Sequence, residues 1–380
     1  MKPHSCCRLW KDSKANRPCG RVDVVVVLGS PWLGEDWLSP QNLVLVLFLV
    51  APLAVVFLFV RFVRGSRRGG TSTVRLLVGN GLLLLALALS VLPVGEIYYR
   101  FVYDASDGFD LGLASERWFE RYYQRNAQGV RDSVDLRGPR SADRPRFTFI
   151  GDSYTNGHGL KDVEQRFVNR IRASRPEWDV QYIGDDGLET AELALRLSEF
   201  VRDGLQLEHV VYVHCGNDIS DLVEEWRVAA RKIYEDQPGW LLRHSWFLNT
   251  WYYRLRVSGD SELVDYFDMI GAAYLDERWQ LQSRRLAQLK DLVEQAGGQL
   301  HVVSFPFFET MDDPGWRAIH AQLTDYWRRV GVRHLDLLPT FQSQPATTWQ
   351  INRWDTHGNV HAHEQAARVI QEFLEESRRD

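Results

Sequence analysis

Residues 151–153 read Gly-Asp-Ser and follow the apolar run Phe147-Thr148-Phe149-Ile150, with a Gly/Asn-rich loop after them. A strand that ends there and turns into a helix presents the Ser153 hydroxyl at the C-terminal edge of a sheet, where open α/β folds place their sites. Ser153 is therefore the first nucleophile candidate. A serine reacts only with a base to take its proton and donors to hold the oxyanion that develops. Asn217 follows the strand-like segment His209–His214, and Asp355-Thr-His357 lies just before the last helix-like segment. Together these residue types suit acyl transfer, which needs a base for the serine proton and an acid to orient that base.

In this order the motifs resemble those of the SGNH hydrolases, also called GDSL esterases/lipases. The resemblance covers roughly residues 144–380. It is carried by Gly151-Asp152-Ser153, the loop Gly184-Asp185-Asp186-Gly187, Gly216-Asn217-Asp218, and Asp355-x-His357. It implies Ser153 as nucleophile, His357 as base and Asp355 as its orienting acid. It also implies an oxyanion hole built from the Ser153 and Gly187 N–H groups and the Asn217 side chain, with Gly151 and Asp152 supporting the loop. Asp-x-His followed by Asn359 is similar to a membrane-anchored branch of the family, whereas Gly-x-Ser-x-Gly, the elbow of the α/β-hydrolases, is absent.

Other reactive side chains read as bystanders. His361 and His363 open the last helix, where surface or packing roles are expected. His158, in Asn-Gly-His-Gly, has no acid beside it in the sequence and reads as loop structure. Cys215 ends an apolar strand and reads as a packed thiol. No metal-binding spacing occurs, no cofactor is expected, and three of the four cysteines fall in the first 19 residues.

The elements that must position these groups alternate. Strands are expected at 146–151, 179–184, 208–214, 299–305 and 333–337, and helices at 162–174, 189–203, 279–297, 315–330 and 361–378. Such alternation predicts a parallel sheet flanked by helices, and the resemblance makes it a flavodoxin-like three-layer α/β/α domain. Residues 219–278 exceed what a crossover needs and are rich in aromatics, which predicts an inserted helical cap.

Upstream, Leu38 to Val60 and Leu76 to Gly95 carry no charge, and each is long enough to cross a bilayer as a helix. Arg61, Arg64, Arg67, Arg68 and Arg75 surround the connection between them, whereas Glu96, Asp104, Asp107 and Asp110 follow the second span. The bias puts the connection in the cytoplasm and both the tail and the catalytic part outside, in a two-pass protein of the inner or plasma membrane. The chain thus divides into a tail at 1–37, a transmembrane helical hairpin at 38–97, a juxtamembrane segment and linker at 98–143, and a catalytic domain at 144–380 carrying the insertion. A net charge of −5 offers nucleic acid no basic footprint. The partners expected are the bilayer and a small-molecule, lipid or glycan ester. The resulting expectation is a membrane-anchored serine esterase. An O-acyltransferase of envelope polysaccharide and a non-catalytic binding or assembly protein on the same scaffold are the alternatives.

Overall fold

Five parallel strands, β1 (Arg146–Gly151), β2 (Asp179–Gly184), β3 (His209–Cys215), β4 (Gln299–Phe305) and β5 (Arg333–Asp336), pair in the order β2-β1-β3-β4-β5 in a computed structural model of the chain. The model describes residues 38–66, 72–259 and 265–377, so the expected tail and Arg67 and Arg68 lie outside the described residues. The strand order is the flavodoxin-like one, and it opens a crevice above the C-terminal ends of β1 and β3. Successive side chains alternate between the two faces. Phe147, Phe149, Val211, Val213 and Phe305 share one core with the helices Phe167–Ser174 and Val360–Ser377. Ile150, Ile183, Val210, Tyr212 and Val302 share the other with the helices Thr190–Arg202 and Arg278–Gln295. Strands covered on both faces explain the near-continuous apolar runs.

Two local differences from the sequence reading have physical causes. The helix expected over 162–174 is split into a short turn, Val163–Gln165, and a helix, Phe167–Ser174. Between them Arg166 is extended and fully buried, and its guanidinium donates to Asn169 Oδ1 and to the Arg131 carbonyl. Asp355 and His357 lie on a strand, β7 (Asp355–Gly358), paired antiparallel with β6 (Gln350–Asn352). The final helix starts immediately afterwards because the Asn359 side chain accepts from the His361 and Ala362 N–H groups and caps it.

The helices Pro40–Ser66 and Thr73–Ile97 pack along each other, and the second continues into a wide turn, Tyr98–Val102. With that turn, both are long and apolar enough to cross a membrane. Leu53, Leu77 and Val94 are each about two-thirds exposed, unlike the buried apolar side chains of the sheet. Among the described residues, the insertion includes the helices Glu224–Tyr234, Trp240–His244, Trp246–Gly259 and Tyr266–Leu275. Trp246–Gly259 is seated on the helical hairpin. The buried Glu96 carboxylate accepts from Ser245 Oγ (2.7 Å) and from the N–H groups of Trp246 and Phe247 (3.0 and 3.1 Å), capping Trp246–Gly259. Arg254 of that helix donates to both Asp107 oxygens and to the hydroxyls of Tyr99 and Tyr103. The aromatic cluster after the second span therefore meets the insertion.

Candidate active site

Ser153 opens a one-turn helix, Ser153–Asn156, directly beyond β1. Asp152 caps this turn by accepting from the Tyr154 N–H (3.1 Å), and its other oxygen accepts from Asn217 Nδ2 (2.8 Å). Asn217 follows β3, the neighbour of β1, so the single carboxylate of Asp152 ties the serine turn to the asparagine turn. A side-chain amide has two N–H groups. The one given to Asp152 fixes the amide plane. Burial pushes the Asp152 carboxyl up to about 6, against the pull of the Asn217 hydrogen bond and of His357.

Asp355 and His357 are two apart on β7, so both side chains project from the same face of the strand. Asp355 Oδ1 lies 2.7 Å from His357 Nδ1 and accepts from the His357 N–H (3.2 Å), while His357 Nε2 lies 2.9 Å from Ser153 Oγ. Ser106 donates its hydroxyl to Asp355 Oδ2. Asp355 is fully buried. Burial works to raise its pKa, but the charges of His158 and His357 and the hydrogen bonds from His357 and Ser106 hold the carboxyl well below the usual range.

His158 corrects the sequence reading. Expected as loop structure without an acid, it is buried with Nδ1 3.1 Å from Asp186 Oδ2 and Nε2 3.3 Å from Asp110 Oδ1 and 3.6 Å from Asp355 Oδ2. Its ring stacks on that of His357, with centroids 4.1 Å apart. Burial lowers its pKa, but Asp110, Asp355 and Asp186 outweigh this and push it up to about 10. Space for this arrangement requires Gly159, where a Cβ would stand 2.8 Å from Asp355 Oδ2 and 2.5 Å from Ile351 Cγ1.

The segment expected as a linker supplies much of this surrounding. Besides Ser106 and Asp110, Tyr123 donates to Asp186 (2.5 Å) and Arg125 grips Asp185 through two nitrogens (2.8 and 2.9 Å). Both aspartates belong to the loop that carries Gly187, which adopts a left-handed backbone (φ +68°). Arg131, fully buried, donates to the carbonyls of Asn156, Gly157 and Leu160 around the serine loop. A Tyr-x-Arg facing an Asp-Asp pair is the one sequence signal that could have pointed to this contact.

The remaining candidates stand apart from the serine. His363 is buried, accepts from the Phe167 N–H (3.2 Å), and burial beside Arg166 and other arginines lowers its pKa to about 3. It is a neutral structural acceptor. His361 is half-exposed and stacks on Trp349. The Cys215 thiol is fully buried, and burial keeps it protonated. Two overlapping groups, His158/Asp355/His357 and Asp110/His158/Asp186, bring their donor atoms within 4.8 Å of one another, close enough to surround a cation. The same proximity places a protonated His158 among carboxylates.

No protein-family model and no curated protein sequence matches the chain. Among solved structures, the chain is similar to a member of the lipolytic protein G-D-S-L family from Veillonella parvula, at 14% identity, a TM-score of 0.37 and coverage of 59% of this chain and 94% of that one. It is also similar to TesA, at 13% identity, a TM-score of 0.39 and coverage of 60% and 97%. An extracellular lipase from Streptomyces rimosus is similar at 13% identity, with a TM-score of 0.41 and coverage of 61% and 99%.

Proposed function

We propose that this protein is a membrane-anchored serine esterase of the SGNH type, with Ser153 as nucleophile, His357 as general base and Asp355 as the acid that orients it. The observation that carries the reading is the unbroken relay Asp355 Oδ1–His357 Nδ1 (2.7 Å) and His357 Nε2–Ser153 Oγ (2.9 Å). With Asp355 ionised on the Nδ1 side, His357 keeps its proton there and presents a bare Nε2 to the serine. As Ser153 Oγ attacks an ester carbonyl, Nε2 takes the hydroxyl proton and the carbonyl oxygen becomes an oxyanion held by the Ser153 and Gly187 N–H groups and Asn217. Collapse expels the alcohol, which leaves with the proton from Nε2. Water then attacks the acyl-serine by the same route and releases the acid. Gly151 and Asp152 support the serine turn.

Two long apolar helices support the membrane anchor. Arg61, Arg64 and Arg75 at the connected ends of the two helices support a cytoplasmic connection with the site on the opposite side. The substrate class is an ester of a small molecule, lipid or glycan. The test is hydrolysis of a panel of short- and long-chain acyl esters by the full chain in detergent. The expected result is a burst approaching one alcohol per protein, absent in Ser153→Ala. Undiminished turnover by that variant would refute the reading.

A further inference from the structure

We propose that His158 is a positioning residue for this site, a buried cation that faces the Asp355 carboxylate and fixes the plane of the His357 ring against its own. The inference rests on the Ser153–His357–Asp355 reading and adds a fourth side chain to it. Three carboxylates from three separate parts of the chain converge on this imidazole. Asp110 precedes the helix Leu113–Tyr122, Asp186 lies in the loop after β2, and Asp355 lies on β7.

Charge and geometry agree on its state. A neutral imidazole offers one N–H and one lone pair. Here Nδ1 faces Asp186 Oδ2 (3.1 Å) and Nε2 faces Asp110 Oδ1 (3.3 Å) and Asp355 Oδ2 (3.6 Å), so a lone pair on either nitrogen would be turned toward a carboxylate oxygen. Two protons remove that repulsion and offset part of the buried negative charge, which is costly without a partner. The elevated His158 pKa and the lowered Asp186 and Asp355 pKa values run in the same direction.

The consequences fall on both partners of the serine. Asp355 Oδ2 accepts from Ser106 and faces His158 Nε2 at ion-pair distance (3.6 Å), while Oδ1 is directed at His357 Nδ1. On one side the His158 ring lies flat against His357 (24° between planes), and Phe119 meets it edge-on at 5.2 Å.

The test uses the full chain in detergent and follows the rate at which a fluorophosphonate probe modifies Ser153 between pH 5 and 10. For His158→Gln, the expected result is a roughly 10- to 100-fold slower reaction at pH 7, from loss of positioning. Asp186→Asn, which removes a partner of the cation without touching the relay, should shift the rate in the same sense by a smaller factor. A His158→Gln rate within twofold of wild type across this pH range would overturn the proposal. The histidine ring ¹⁵N resonances of the wild-type chain decide independently of any variant's folding. Both His158 nitrogens should carry protons at pH 8, and a neutral ring, or a stoichiometric divalent metal in the purified protein, would overturn the proposal. Failure of the wild-type chain to react with the probe would instead refute Ser153 as nucleophile, with the ring measurement still deciding the state of His158.

Discussion

At the scale of single residues, the histidines divide by what faces them. His357 contacts Ser153, His363 accepts from a backbone N–H, and His361 stacks on a tryptophan. His357→Ala should therefore lower turnover by several orders of magnitude, and Asp355→Asn by about 10⁴-fold through the wrong tautomer. His361→Ala should stay close to wild type, while His363→Ala should lose thermal stability more than turnover. Steady-state kinetics on folded variants checks this. The His158 cluster also predicts a pH dependence of stability. His158 is raised from an ordinary value near 6.5, so its contribution is complete below about pH 6.5 and fades as pH rises through about 10. Asp186 and Asp355 are depressed, so theirs is complete above the ordinary carboxylate range and is lost only as pH falls through their lowered values. The melting-temperature difference between wild type and His158→Gln should be largest between about pH 5 and 6.5 and shrink toward pH 10. The serine, asparagine, aspartate and histidine were legible because each stands in a short linear motif. His158 and Ser106 were not, because Ser106 and Asp355 are 249 residues apart and only the fold brings them together.

At the scale of elements, the alternation of strand and helix patterns locates all five strands of the sheet, and β1 to β4, largely buried, leave the denser signal while β5 is only partly buried. The β6–β7 hairpin escaped because Asp355-Thr-His-Gly is short and polar, and its pairing is what puts both catalytic candidates on one face. The insertion's length marked it as extra, but not its seat. That seat is a buried ion pair, Arg254 with Asp107 at 3.0 Å, with aromatic rings around the guanidinium. Breaking one side of such a pair strands the other charge. Arg254→Met should destabilise the protein by about 3 kcal/mol, and adding Asp107→Asn should recover part of that loss. Thermal unfolding of the two variants and the double variant measures it, and an additive double variant would deny the coupling.

At the scale of the whole molecule, the helical hairpin and the candidate site are joined by continuous contacts. Glu96 near the end of the second long helix caps an insertion helix, Arg254 of that helix grips Asp107, and the adjacent Ser106 holds Asp355. The segment from 98 to 143 therefore supports the site as well as connecting it to the hairpin. Hydropathy made the two long helices legible, whereas this coupling depends on tertiary contacts that no window of sequence contains. If the arginine-flanked connection is cytoplasmic, a reporter fused after residue 380 that works only outside the cytoplasm should be active. Activity solely of a cytoplasm-dependent reporter would invert the topology.

The most direct measurement is the location of the covalent adduct. After reaction of the full chain with a fluorophosphonate and digestion, tandem mass spectrometry should place the phosphonyl group on Ser153, with the adduct absent from Ser153→Ala and strongly reduced in His357→Ala. An adduct on a different serine that persists in both variants would contradict the assignment of Ser153 and His357.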